Sequence, residues 1–262
     1  MKKTCSSIFR QLFCRPNPDE LDGIPVKEGL NIMEVENSTM ADISVGVHSR
    51  AVRVQALNQL APPHRPVLEI EKRDKERSAL ILDEAARYHM HLHRTNPENP
   101  FRDHLQLELY LVDPQSQRPE GQNLLINGKA DVVRTGKSYT VVLRNDSDKD
   151  LWPYLAYMDS NGVDIHLLYH PQPSSPIPTL PKHGSLEVKL RSFSLPPLDS
   201  GFLKLFVSTS YTSLGNLEQS AIPIQLPQPE LLDPRHQLGY DGQEWDTALA
   251  ILNFSDATER RL

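Results

Sequence analysis

From His104 to Val112 the chain alternates. Leu105, Leu107, Leu109 and Leu111 fall on one side of an extended strand, with His104, Gln106, Glu108 and Tyr110 on the other. A period of two is what one buried and one solvated face require. The same period predicts strands over Lys137–Asn145, where Tyr139, Val141 and Leu143 share a face, and over Ser185–Leu190. In Gly201–Tyr211 the expected core face is Leu203, Leu205, Val207 and Thr209, opposite Phe202, Lys204, Phe206 and Ser208. Met40–Val47 and Ala51–Leu57 predict a shorter hairpin, setting Ile43, Val45 and Val47 beside Val52, Val54 and Ala56.

The densest apolar stretch is Leu151–Pro171, LWPYLAYMDSNGVDIHLLYHP. It reads as two strands joined at Ser160-Asn161-Gly162, because Asn-Gly tolerates the positive φ of a type I′ turn. One segment has a different period. Ile81, Ala85, Tyr88 and Leu92 are spaced four, three and four apart, which predicts a helix from Ser78 to Arg94. Ser78 is its expected N-cap, the charged run Glu69–Arg77 leads into it, and Pro97 and Pro100 end it.

Many short strands separated by turn signals, with one helix outside them, predict a mainly β chain. The expected fold is an antiparallel β-sandwich with one flanking α-helix. Four regions follow: a flexible leader (1–38), a short β-hairpin plus helix (39–94), the sandwich (95–226) and an acidic tail (227–262). Within the tail, Trp245–Phe254 suits a last strand or a short helix, since Ala-Leu-Ala-Ile-Leu fits either period.

Composition narrows the chemistry. A net charge of −6 over 262 residues gives no basic face for nucleic acid, so none is expected as a partner. No apolar run approaches the roughly 20 residues that span a bilayer, so no membrane is expected either. Cys5 and Cys14 are the only cysteines and both lie in the leader, which suits a reducing, cytoplasmic setting without disulfides. The 22 prolines against 12 glycines agree with long irregular connections.

Candidate sites are few. Trp152, Tyr154, Tyr157 and Tyr169 offer an aromatic platform for a partner, a small ligand or a glycan, although aromatics at strand spacing more often fill a core. His89 and His93, four apart on the helix, would share a face and could serve a metal-dependent hydrolase. The blander expectation is a pair of exposed histidines at a helix C-terminus, where the dipole favours them. Asp159–Asp164 superficially suggests a calcium loop, but a hairpin turn accounts for every residue in it. Gly128-Lys129 and Gly136-Lys137 stand outside any phosphate-binding frame and read as turns. No catalytic residue, metal ligand or cofactor is assigned.

The run LWPYLAYMDSNGVDIHLLYHP, then LPKHGSLEVKL, then GFLKLFVSTSYTSLGNLEQS, resembles the C-terminal non-catalytic domain of fungal caspase-like (metacaspase-related) proteins. The likeness covers residues 101–226, extends more loosely over 41–94, and returns at Glu244-Trp245-Asp246-Thr247. It implies a β-sandwich of unknown function found downstream of caspase-type catalytic domains, with such a catalytic domain as its partner. Caspase chemistry needs a histidine to take a proton from a cysteine thiol. Here the only His-Gly is His183-Gly184, and both cysteines lie upstream of it in the leader. The resemblance therefore implies an interaction or regulatory chain, either lacking the protease domain or forming part of a longer reading frame.

Overall fold

The structure, a computed structural model, describes residues 9–13, 33–34, 41, 43–47, 51–57, 67–71, 75–133, 137–159, 163–173, 175, 177–190, 200–212, 214, 217–218 and 243–255. The chain divides into two compact units. One comprises Met1–His93 with Asn161–Val163, the other Arg94–Ser160 with Asp164–Leu262.

In the first unit the hairpin pattern is realised by β3 (Ile43–Val47) and β4 (Ala51–Ala56). Their register sets Ile43 opposite Ala56, Val45 opposite Val54 and Val47 opposite Val52. Ile43, Val45 and Val54 are buried. Two findings differ from expectation. The leader contributes β1 (Phe9–Phe13) and β2 (Met33–Glu34), and the charged run overlaps β5 (Val67–Glu71). The five strands form one antiparallel sheet in the order β2-β1-β3-β4-β5. Too few residues surround β1 and β2 to show a period, so their pairing is visible only in three dimensions.

The helix α1 spans Lys75–His93. It begins three residues before Ser78, which therefore lies inside the helix and is not its cap. The stripe Ile81, Ala85, Tyr88 and Leu92 is buried, and so are Ala86, His89, Met90 and His91. Its C-terminal half is thus covered well beyond a single stripe. Among the described residues no helix is long and apolar enough to cross a membrane.

The second unit is a β-sandwich. Its strands are β6 (Leu105–Val112), β7 (Pro119–Glu120), β8 (Lys129–Val133), β9 (Tyr139–Asn145), β10 (Trp152–Asp159), β11 (Ile165–Tyr169), β12 (Gly184–Leu190), β13 (Ser200–Ser208) and β14 (Trp245–Ser255). One sheet has the order β12-β9-β6-β7 and the other β11-β10-β13-β14-β8. Leu109, Val141 and Leu143 from the first meet Leu155, Tyr157, Leu203, Leu205, Val207, Ala250 and Leu252 from the second in one hydrophobic core. That interdigitation is what two facing sheets require.

The segment Trp245–Phe254 is a strand, β14, and not a peripheral one. It lies between β13, to which it runs antiparallel, and β8, to which it runs parallel. The polar connection after β6 holds β8, entered through Asn127-Gly128. Both of these residues have positive φ (51° and 73°), while Ile126 and Lys129 exchange backbone hydrogen bonds. This is a type I′ turn at an Asn-Gly pair. At the other Asn-Gly, residues 160–162 lie outside the described residues. The strands on either side of it pair as a hairpin, with Met158 opposite Ile165 and Asp159 N donating to Asp164 O at 3.1 Å.

Every residue of β10 and β13 is buried. The face of Phe202, Lys204, Phe206 and Ser208, expected to be the wetter one, is as enclosed as the core face. Pro153 is tolerated in β10 because the β11 ladder starts only at Leu155.

Candidate functional site

Alternation along β10 decides where the aromatic candidates go. Trp152 and Tyr154 share one face of the sheet and Tyr157 takes the other, in the sandwich core. Tyr169, on β11, sits opposite Leu155 and packs half-buried against that core. The structure therefore distributes the four over both faces and does not bring them onto one surface.

Each has local work to do. The Tyr154 hydroxyl accepts a hydrogen bond from Thr212 N at 2.9 Å. Burial pushes its pKa up to about 12, against the opposing pull of the Thr212 N–H. The Tyr157 ring packs edge-on to Phe254 at 6.4 Å and lies over Gly201, where an added Cβ would come within 2.6 Å of the ring carbon Cζ. Trp152 meets Tyr211 edge-on at 5.4 Å, and Tyr211 is 36% exposed. Tyr211 is thus the aromatic of this group that reaches the surface. Its position just past the end of β13 was the available signal.

The histidines of α1 are not an exposed pair. His89 and His91 are buried and His93 is half-buried, with the His89 and His93 rings stacked at 6.0 Å. Among the described residues no group of three or more His, Cys, Asp or Glu side chains gathers as a metal would require. Cys5 and Cys14 lie outside the described residues.

His183-Gly184 is a turn. His183 has φ 51°, Gly184 N donates to Pro181 O at 3.1 Å, and a Cβ on Gly184 would meet Pro181 Cγ at 2.6 Å. His183 Nε2 contacts Asp148 Oδ1 at 3.0 Å on the surface. Beneath it, fully buried Asn145 donates through Nδ2 to Lys149 O at 2.8 Å and to Pro181 O at 3.1 Å. Its Oδ1 accepts from Ser147 N at 3.0 Å and Ser147 Oγ at 2.6 Å. Asn145 thereby ties the loop after β9 to the turn before β12.

A second polar knot lies on β13 and β14. Lys204 is 1% exposed, and its Nζ donates to Arg94 O at 2.7 Å and to Thr247 Oγ1 at 3.4 Å. Thr247 Oγ1 itself donates to Arg94 O at 3.1 Å. Asn96 Nδ2 donates to Trp245 O at 2.6 Å, and buried Asp246 accepts the N–H of Phe101 at 2.9 Å. The Arg94 guanidinium lies 5.1 Å from the Trp245 ring centroid. Residues 94–101 are therefore strapped to the sheet by buried polar side chains. Burial, helped by the Arg94 charge, lowers the Lys204 pKa to about 7 against the opposing pull of Asp246. Perturbation of this size marks a group worth attention.

Among the described residues the sandwich has four edge strands, and three carry the usual safeguards against pairing with another chain. β7 is two residues long and contains Pro119, β8 exposes Lys129 and Asp131, and β12 exposes Glu187 and Lys189. β11 (IHLLY) has no proline, lysine or acid, and its one safeguard is a bulge where Leu155 and Ala156 change register. His166 is exposed on it, with Leu167, Leu168 and Tyr169 half-buried. Compared with known proteins, the chain matches no family model and no curated protein.

Proposed function

We propose that the chain is a non-catalytic interaction module acting in the cytoplasm, and that its partner is a caspase-like cysteine protease. The observation that carries the interaction role is the β11 edge. It is an edge strand without lysine, acid or proline, in a sandwich whose other three edges among the described residues bear charge or proline. Strand addition uses such an edge: main-chain hydrogen bonds supply affinity and alternate side chains supply specificity. The occupant is an extended, apolar segment of the protease chain. The protease identity rests on the resemblance of residues 101–226 to the domain that follows caspase-type catalytic domains.

The test is a cross-linked pulldown with the intact chain as bait, beside a His166→Lys variant that gives β11 the charge its fellow edges carry. His166 is exposed, so the substitution leaves the core alone. A caspase-like chain is recovered with the natural bait and lost with the variant. Recovery that is equal for both baits refutes the edge as the contact. Absence of any caspase-like chain from both refutes the partner.

A further inference from the structure

Hydrogen-bond directions along β11 follow from its first pair. Asp159 N donates to Asp164 O at 3.1 Å, so these two residues occupy a hydrogen-bonded position of the hairpin. In an antiparallel ladder, bonded and non-bonded positions alternate. Met158 opposite Ile165 is therefore non-bonded, Tyr157 opposite His166 is bonded, and Ala156 opposite Leu167 is non-bonded. His166 turns its N–H and C=O inward to β10. Ile165 and Leu167 turn theirs outward, where β11 has no neighbouring strand among the described residues.

Two features shorten the open part of this edge. Ile165 is fully buried, so an added strand does not reach its outward groups. Beyond Leu167 the register slips: Tyr169 stands opposite Leu155, which leaves Leu168 as the extra residue of a bulge. A bulge bends the strand and interrupts regular pairing. Between the covered residue and the bulge, half-buried Leu167 is left to offer both its N–H and its C=O.

We infer that β11 takes its partner through a single main-chain clip at Leu167, and that the partner segment is extended over only about three residues. The inference rests on the strand-addition role proposed above and narrows it. One partner residue pairs with Leu167 through its own N–H and C=O, antiparallel because that pairing is the stabler of the two. The partner residue beside Leu168 lies on the core side, where Leu168 and Tyr169 pack half-buried against the hydrophobic core. An apolar side chain suits that position, since it removes the rim of the core from water. The short register also explains how β11 does without lysine, acid or proline. A second copy of the chain finds one residue to pair with, not a strand's length. A short extended segment of another chain loses little by that limit.

Proline substitutions in the intact chain separate outward from inward N–H groups, because proline has none and is tolerated in an edge strand where the N–H faces solvent. Leu167→Pro is expected to keep a urea midpoint close to the natural one, whereas His166→Pro removes an inward N–H and lowers it. Capture of the caspase-like chain by Leu167→Pro is expected to fall about tenfold, since a partner carbonyl is left unpaired. Undiminished capture by a folded Leu167→Pro chain overturns the clip, and so does a His166→Pro chain more stable than Leu167→Pro. Hydrogen exchange of the free natural chain gives an independent reading should neither variant fold. The Leu167 amide is expected to exchange as an exposed amide does while the His166 amide is protected, and equal protection of the two overturns the clip. Failure of the natural bait to recover any caspase-like chain refutes the partner, and the exchange pattern still decides the clip.

Discussion

Asn145→Ala is the perturbation whose cost the structure defines most closely. The residue is fully buried at the end of β9, opposite Leu105 of β6 and Gly184 of β12. Its loss leaves Lys149 O with a long bond from Ser147 Oγ (3.4 Å), and Pro181 O with Gly184 N. Ser147 N is left with nothing, and Ser147 is buried. One buried N–H without an acceptor costs about 1–3 kcal/mol, and two or three further lost bonds cost about 1 kcal/mol each. The expected destabilisation is about 3–6 kcal/mol, against a total of roughly 5–15 kcal/mol for a typical domain. Both tryptophans, Trp152 and Trp245, lie in this unit, so urea unfolding followed by tryptophan fluorescence reads it directly. Asn145→Asp sharpens the test. It keeps the acceptor for Ser147 but turns the donor facing Lys149 O and Pro181 O into a second acceptor. The buried carboxyl has a raised pKa in the fold, so the variant's stability is present at low pH and lost as pH rises. A loss under about 1 kcal/mol for the alanine variant, or an aspartate variant as stable as the natural chain at pH 7, would refute the reasoning.

Two further variants probe the packing of the second sheet. Gly201→Ala is expected to cost about 1–3 kcal/mol in the same urea assay, because its Cβ meets the buried Tyr157 ring. Much of that loss should be recovered in a double variant with Tyr157→Leu. Tyr154→Phe removes the acceptor of Thr212 N and is expected to cost about 1–2 kcal/mol at neutral pH. Tyr154 has its pKa raised to about 12, so the stability it contributes is present below pH 10 and lost as pH rises through 12. The phenylalanine variant should lack that alkaline loss in melts between pH 9 and 11.

Strands that meet water on one side declared themselves by alternation. In β6, Gln106 is exposed between half-buried Leu105 and Leu107, and Leu109 is fully buried. The same logic misplaced Lys204, because a period of two assigns the polar residue to the wet face and β13 has none. The warning was present in β10, where Trp152, Tyr154, Ala156 and Met158 are as apolar as Leu155 and Tyr157. Apolar residues on both sides mark a strand buried on both sides, and a lysine beside such a strand is buried unless its end is free. β14 was ambiguous in period, and its enclosed position depends on a parallel pairing with β8 that spans more than a hundred residues of chain. No local pattern encodes that pairing. The histidines of α1 were misjudged for a similar reason: a stripe four residues apart suggests one buried face, and burial here extends around the helix to His89 and His91. The knot of Arg94, Asn96, Asp246 and Thr247 joins residues about 150 apart and leaves no motif in the sequence.

The most direct test of the interaction role is hydrogen exchange across β11 in the presence and absence of the caspase-like chain recovered by the pulldown. Strand addition at this edge gives outward-facing amides of Ile165–Tyr169 a partner carbonyl. They should exchange more slowly in the complex, while β8 and β12 amides stay unchanged. A complex that forms with no slowing at β11, or with slowing at β12 or β8 instead, would contradict the account.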